Sequence, residues 1–370
     1  MNILCEAPIR QGDRGGRHGF GQPQEIGRET GREPSIAEIV HSARVLAGMG
    51  RHREAIDLLS FQRADALDVG ALSDLVLWRN AAFEPEQGRS SWPPQYADPF
   101  PDVADAPPEI AGKTLTAEIL GGAIQHHGGL IVRGLIDQEQ TSHLARVVRK
   151  AFDAAAECRS GATAPDASAW YSRYPLSAEE GIRPAARDWV EQSGGVLTAD
   201  SPRSLADFIA FLKTHGVTRV IEQYLGERAF LSLGKSTLRI VPPDAGAGWH
   251  QDGAFLGPDI RTVNVWLALS DCGEDAPGLD VYPRRLNGLA ETGTKGAFAS
   301  WVVGGGVVEE MSKMAPVVAP VFKAGDAMLF DQLYLHRTGV RHGMTRERMA
   351  IESWFFAGST FPMIQMPLAL

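Results

Sequence analysis

Three residues in the second half of the chain have the types and spacing to hold a divalent metal while leaving part of its coordination sphere open. His250 and Asp252 lie two apart in the run WHQDGAF, and on a β-strand both side chains would leave the same face. An imidazole and a carboxylate converging from one face make two-thirds of a facial triad. That set binds non-haem Fe(II) and keeps positions free for O2 and a second ligand. The third ligand must come from elsewhere in the fold. His336 suits it, because AGDAMLFDQLYLHRTG reads as a turn, a β-prone run and a histidine close to where Gly339 ends it. His342, in the turn-rich VRHGMT, is the competing histidine.

Arg348 heads the run RMAIESWFF. A guanidinium facing into a barrel beside a metal is costly unless a carboxylate meets it. Its planar fork matches the distal carboxylate of 2-oxoglutarate, whose 2-oxo acid end would then chelate the iron. Each element alone has an ordinary explanation. H-x-D occurs by chance in many chains, a lone histidine is commonly a satisfied core residue, and Arg348 has charged neighbours in Arg341 and Arg346. Four elements in order, each with its strand and turn context, point to one site.

The elements that must position this site follow from periodicity. STLRIV, GWHQDGAF, TVNVWLALS, LDVYP, VVAPVFKAGDAMLF and RMAIESWFFA are short β-prone runs separated by Gly, Pro and Asp turns. With a few helices before them and no alternating βαβ rhythm, they predict a mainly β fold with α, a sandwich or barrel with helical buttresses. Upstream, GLIVRGLI reads as a strand between a short helix ending near His126 and a helix over QEQTSHLARVVRKAFDAAAE, and residues 159–200 read as irregular. The main domain is expected over 109–359, with a C-terminal tail at 360–370.

Residues 1–34 are rich in Gly, Arg and Gln, with five Arg against five acidic residues, and read as a disordered tail. Ser35 and Glu38 then predict a capped helix start, with Ile36, Ile39, Val40, Ala43 and Leu46 on one face. A second helix carries Ala55, Leu58 and Leu59. Residues 35–86 thus predict a helical hairpin resembling a single tetratricopeptide-type unit, which cannot bury its own apolar face. It should pack on the main domain or, alternatively, mediate self-association or hold a partner. A stiff linker follows at 87–108, with six prolines.

The 370 residues carry a net charge of −9, which argues against nucleic acid or an anionic membrane as partner and leaves a small-molecule substrate. Three widely spaced cysteines, Cys5, Cys158 and Cys272, give no disulfide framework. No stretch resembles a signal peptide or a membrane span, so a cytoplasmic location is expected.

Residues from roughly 115 to 357 resemble the phytanoyl-CoA dioxygenase family, a branch of the 2-oxoglutarate oxygenases. The motifs are GGLIVRGLID, WHQDGAF, VNVWLAL, KAGDAMLFDQLYLHRTG and RERMAIESWF, in the family's order and approximate spacing. The resemblance implies a double-stranded β-helix (jelly-roll) fold, iron ligands at His250, Asp252 and His336, and a 2-oxoglutarate arginine at Arg348. It favours His336 over His342, and also implies an aromatic residue near the cosubstrate at Trp266 and a hydroxyl at Thr338 beside Arg348. Related halogenases replace the ligating carboxylate with a small residue. Asp252 therefore implies hydroxylation or another oxidation, of a small-molecule or acyl substrate, with O2 and 2-oxoglutarate consumed and succinate and CO2 released. The chain departs from the family at APGLDVYPRRL, where many members carry GPL…PGSH; this concerns local substrate contacts, not the iron site.

Two other function classes fit parts of the pattern. A degenerate barrel could serve as a non-catalytic binding protein, and a metal-dependent hydrolase could use the same His/Asp/His set without needing Arg348. Remaining candidates have bland explanations. His126 and His127 read as a solvated turn, and Gly304, Gly305 and Gly306 as a flexible loop without the Lys and Ser/Thr of a phosphate cradle. Trp170, Tyr171 and Tyr174 line a mouth or pack under a loop, and Asn264 shares a strand face with Trp266.

Overall fold

The structure is a computed structural model and describes residues 33–85, 88, 91–162, 167–175, 185–246 and 248–370. The expected tail over 1–34 falls outside the described residues up to position 32. The first elements are α1 (Ile36–Gly48), α2 (His52–Ser60), α3 (Val69–Ala81), β1 (Glu109–Ala111), α4 (Ala117–His127), β2 (Gly129–Arg133), α5 (Gln138–Ser160), α6 (Ala167–Trp170) and α7 (Ala185–Gln192). Then come β3 (Gly195–Leu197), α8 (Pro202–Thr214), α9 (Val217–Leu225), β4 (Ala229–Val241), α10 (Gly253–Leu256), β5 (Thr262–Ala268) and β6 (Gly278–Val281). The last are α11 (Gly305–Ser312), β7 (Ala327–Phe330), β8 (His336–Gly339), β9 (Arg348–Ala357) and β10 (Pro367–Ala369).

The larger sheet runs β1-β2-β7-β5-β9-β4-β10, with β3 also on β4. Among its described strands only the short β1–β2 pair is parallel. β5, with the sequence TVNVWLA, is buried along its whole length because both sheet faces are covered. Val263, Val265, Leu267, Leu329, Ile351 and Phe355 join the cluster that Leu120, Leu144, Phe208 and Ile221 supply from α4, α5, α8 and α9. The alternate residues Trp266, Met328, Phe330, Trp354 and Phe356 belong to a second cluster, inside the barrel. Burying one such side chain fully stabilises the fold by about 1.5–3 kcal/mol. The opposite wall is the two-stranded sheet β6–β8, whose Leu279 and Val281 join the second cluster. Single bridges extend this wall: Trp249 with Val303, His250 with His336, Cys272 with Phe322 and Val281 with Val318. The fold is thus a barrel with helical buttresses, as the strand runs predict, of the jelly-roll kind that the family resemblance implies.

The N-terminal helices form as their sequence dictates. Ser35 Oγ accepts from the Glu38 N–H while the Glu38 carboxylate accepts from the Ser35 N–H, the expected capping box. Val40, Ala43, Ala55, Ile56 and Leu59 are buried, and a third helix, α3, adds Leu72 and Leu75 to the same cluster. That helix has an almost even spread of apolar residues around its axis, which is why the periodicity of a hairpin did not extend to it. Its C-terminal turn is tied to β10: Arg79 Nη1 donates to the Ala369 carbonyl at 2.7 Å and Asn80 Nδ2 to that of Pro367 at 3.0 Å. Phe83 then packs edge-on against Phe230 of β4 at 4.8 Å. The apolar face of the hairpin is therefore buried within the chain.

Three expectations need correction. Residues 360–370 are not a tail throughout: Pro367–Ala369 pairs with β4 as an edge strand, too short for any alternation to reveal. Residues 159–200 hold α6, α7 and β3 among their described parts. The Gly304–Gly306 run starts α11 rather than a flexible loop, with Gly304 at its N-cap, where a Cβ would clash with the Thr294 carbonyl. Close backbone packing, not freedom, explains the glycine there. Among the described residues no helix is long and apolar enough to cross a membrane.

Candidate metal centre

His250 and His336 face each other across an antiparallel bridge, each donating its N–H to the other's carbonyl at 3.0 and 3.1 Å. Their ring centroids are 4.4 Å apart. Each Nδ1 lies against a backbone carbonyl, Gly248 O at 3.0 Å for His250 and Tyr334 O at 2.9 Å for His336. A carbonyl can only accept, so Nδ1 carries a proton in both rings, and it is Nε2 whose lone pair the neutral imidazole would present. This is the usual way a protein fixes the tautomer and aim of a ligating histidine.

Asp252 reaches the same point by a different route from the one its spacing suggests. It is not on a strand. The bridge ends at His250, and Asp252 sits in the right-handed helical region (φ −62°, ψ −22°) at the N-cap of α10. The chain turns from strand to helix between His250 and Asp252, and that turn brings the carboxylate round. Ligand atoms of His250, Asp252 and His336 all lie within 4.8 Å of one another. Asp252 is 1% exposed, and neither of its oxygens receives a properly directed hydrogen bond. Its Oδ2 is 3.7 Å from His336 Nε2, and its Oδ1 forms a bent ion pair with Lys235 Nζ at 3.1 Å.

The electrostatics of this cluster suit a cation. Burial, aided by His336, pushes the His250 imidazole down to about 4, so it stays neutral and able to ligate. Burial alone would raise the Asp252 carboxyl, but the ammonium of Lys235 and the two imidazoles hold it below the usual carboxylate range. A buried carboxylate with two oxygens lacking directed donors, beside two imidazoles whose Nδ1 atoms are held on backbone carbonyls, fits a divalent metal ion.

The barrel interior also leaves other polar atoms without partners. Arg348 is 2% exposed, and Nη1 donates only to the carbonyls of Gly278 at 2.9 Å and Pro277 at 3.4 Å, while Nε has no partner. No carboxylate forms an ion pair with it among the described residues. Burial lowers its pKa to about 10. The guanidinium lies over Trp266 at 5.3 Å. Thr338 shares a β8 face with His336 and pairs with Leu279, next to the Gly278 that Arg348 touches. Thr237 Oγ1, both polar atoms of Asn264 and Trp354 Nε1 are likewise buried and unpartnered. Asn264 does lie on the inner face with Trp266, as its spacing suggests.

A model of phytanoyl-CoA dioxygenase (PhyH) matches residues 124–349. The chain belongs to the phytanoyl-CoA dioxygenase family. It is accordingly an Fe(II)- and 2-oxoglutarate-dependent oxygenase, and the barrel and the His-Asp-His cluster are what such an enzyme requires. Among solved structures, EctD from S. alaskensis with 2-oxoglutarate and 5-hydroxyectoine is similar at 16% identity and a TM-score of 0.43, over 75% of this chain and 86% of that one. The non-heme alpha ketoglutarate dependent carbocyclase SnoK from nogalamycin biosynthesis is similar at 13% identity and a TM-score of 0.44, over 67% and 87%. AviO1 from Streptomyces viridochromogenes Tue57 gives 16% identity and 0.39, over 65% and 94%. Comparison with curated proteins gives no match.

The other candidates fall away from the centre of this oxygenase. His342 is exposed in a turn. His126 and His127 close α4 rather than a solvated turn: His127 is buried and its Nε2 bonds Asp98 Oδ1 at 2.9 Å, while His126 bonds Tyr96 O. Tyr171 and Tyr174 are core residues, and Trp170 lies under Lys150 and Arg203. Residues that went unnoticed in the sequence stand closer. Phe255 stacks on His250 at 6.4 Å, Trp301 meets it edge-on at 5.9 Å, and Phe298 meets Trp301 at 6.2 Å. Phe255 and Phe298 are 43% and 73% exposed, which makes them an aromatic rim. Phe255 follows the H-x-D motif in WHQDGAF, and that proximity was the available signal.

Proposed function

We infer that this oxygenase hydroxylates a small-molecule substrate, with His250, Asp252 and His336 holding Fe(II) and Arg348, Thr338 and Trp266 holding 2-oxoglutarate. The observation that carries the reading is the pairing, in one barrel interior, of a donor-poor His-Asp-His cluster with a buried arginine that has no carboxylate partner. When bound, iron with 2-oxoglutarate and O2 supplies a two-electron oxidation that yields succinate and CO2 and adds one oxygen atom to the substrate. The residues of the chain do the rest. His250 and His336 present Nε2 because their Nδ1 protons are tied to carbonyls. The Arg348 fork meets a carboxylate at a fixed place, and the Trp266 ring under it excludes water. The exposed rings of Phe255 and Phe298 suit a substrate with an apolar face. A hydrolase using the same triad would give Arg348 no task. Cys158 and Cys272 are free thiols, which fits a reducing, cytoplasmic setting.

The test is anaerobic reconstitution with Fe(II) and 2-oxoglutarate, followed by exposure to isotope-labelled O2 in the presence of a panel of small molecules and acyl compounds. Succinate release stimulated by one compound, with one labelled oxygen in the product, is the expected result. Turnover of a compound without 2-oxoglutarate consumption would sink the proposal.

A further inference from the structure

Lys235 is a buried cation beside the metal-ligand set that nothing in its sequence context singles out. It lies in the stretch of β4 where the register against β9 shifts between Leu231 and Ser236, and its backbone N–H donates to Ser232 Oγ at 3.0 Å. A bulge of this kind re-aims a side chain away from its ladder position. Here it sends the lysine inward, leaving the residue 8% exposed. The ammonium sits 3.1 Å from Asp252 Oδ1, 4.4 Å from the centre of the Phe255 ring and 5.2 Å from that of Trp189 on α7. Asp252 is its one carboxylate partner among the described residues.

The two oxygens of Asp252 therefore face different partners. Oδ1 faces the ammonium, and Oδ2 faces the side where the ligand atoms converge. We propose that Lys235 is a positioning residue that restricts Asp252 to one-oxygen metal coordination, so that the positions needed by 2-oxoglutarate and O2 stay open. The inference rests on the Fe(II) and 2-oxoglutarate reading of the site. A carboxylate can bind a cation through one oxygen or both, and an ammonium held on Oδ1 opposes the second mode. The arrangement has a cost, because a fixed positive charge beside a divalent ion repels it. Lys235 lowers metal affinity in exchange for an open site.

The test uses the full chain with Lys235→Met, which keeps the stem in its aromatic cage without the charge, and Lys235→Arg, which keeps a cation. Anaerobic Co(II) and Fe(II) titrations give metal affinity; 2-oxoglutarate titration of the Co(II) form gives cosubstrate affinity; visible absorption reports the donor set. Removing a partner that supports a metal ligand typically costs about 10- to 100-fold in metal affinity; removing a repelling cation should act on a similar scale in the opposite direction. Lys235→Met should bind Co(II) more tightly by about that factor, shift the Co(II) absorption, and bind 2-oxoglutarate more weakly, while Lys235→Arg follows the wild type. Unchanged metal affinity in Lys235→Met overturns the proposal. So does weaker metal binding there, the result that loss of mere packing support would give, or tighter binding with no loss of 2-oxoglutarate affinity. An arginine variant that behaves like Lys235→Met overturns it too. Wild type that binds metal but not 2-oxoglutarate would instead remove the underlying reading of the site.

Discussion

His250 and His336, far apart in sequence, exchange both backbone hydrogen bonds of an antiparallel bridge, which fixes their rings 4.4 Å apart before any ion arrives. The spacing of the two imidazoles is thus part of the sheet pairing rather than an addition to it. If the cluster holds the metal as proposed, with no further ligating group joining it among the described residues, His250→Ala, Asp252→Ala and His336→Ala should each abolish metal-dependent turnover and weaken Co(II) binding by several orders of magnitude. His342→Ala, in an exposed turn, should match wild type in both. Normal Co(II) binding by His336→Ala would remove the third ligand from this position.

The clustering of His250, Asp252 and His336, the inward place of Arg348 and the barrel were legible because each rests on a local pattern: a turn before a β-prone run, a histidine at its end, an arginine heading the next strand. The route by which Asp252 converges was not. WHQDGAF has the composition of a strand, and only tertiary packing turns it into α10 after one bridge. Lys235 was invisible for a related reason: a bulge decides where it points, and a bulge leaves no reliable mark in GKSTLRIV. α8 and α9 went unread between two better-marked regions, although Pro202 at the first turn of α8 is a recognisable start.

Arg348 tests the cosubstrate site. Hydrogen bonds to charged groups are worth about 1.5–3 kcal/mol, so Arg348→Gln should weaken 2-oxoglutarate binding to the Co(II) form by about one to two orders of magnitude. Arg348→Lys, which keeps charge without the fork, should fall between. Co(II) affinity should be unchanged in both. Arg346→Gln, at an exposed position, is the control. Equal 2-oxoglutarate affinity for wild type and Arg348→Gln would take Arg348 out of the site.

The metal-free protein should lose stability in acid through the same cluster. In the unfolded chain His250 takes up a proton as pH falls through about 6.5, whereas in the folded chain it resists until about 4. Between those values the unfolded state binds more protons, so stability is fully present above about pH 6.5 and declines towards pH 4. Asp252, held below the ordinary carboxylate range, acts in the same direction at lower pH. Urea midpoints of the metal-free protein at pH 7.5, 6 and 5 should fall in that order, and more shallowly in His250→Ala. An identical slope in the two proteins would show that His250 does not carry the effect.

The last prediction concerns α3 and the unity of the chain. Leu72 is 1% exposed and belongs to the cluster that also holds Phe230, Trp266 and Trp354 of the barrel. Removing a buried leucine side chain costs about 2–5 kcal/mol when the site cannot collapse. Leu77, on the same helix, is 42% exposed, and its truncation should stay within about 0.5 kcal/mol. If the N-terminal helices fold as one unit with the barrel, Leu72→Ala lowers the urea midpoint of the single transition seen by both tryptophan fluorescence and helical circular dichroism. Metal and 2-oxoglutarate affinities stay at wild-type values, because the hydrogen bonds and ring contacts found for His250 and Arg348 among the described residues involve no residue of α3. If the helices are an independent appendage, the variant instead shows an early helical transition that leaves the barrel midpoint unmoved. The bonds from Arg79 and Asn80 to the β10 backbone favour the first result, since they tie α3 to the edge strand that pairs with β4.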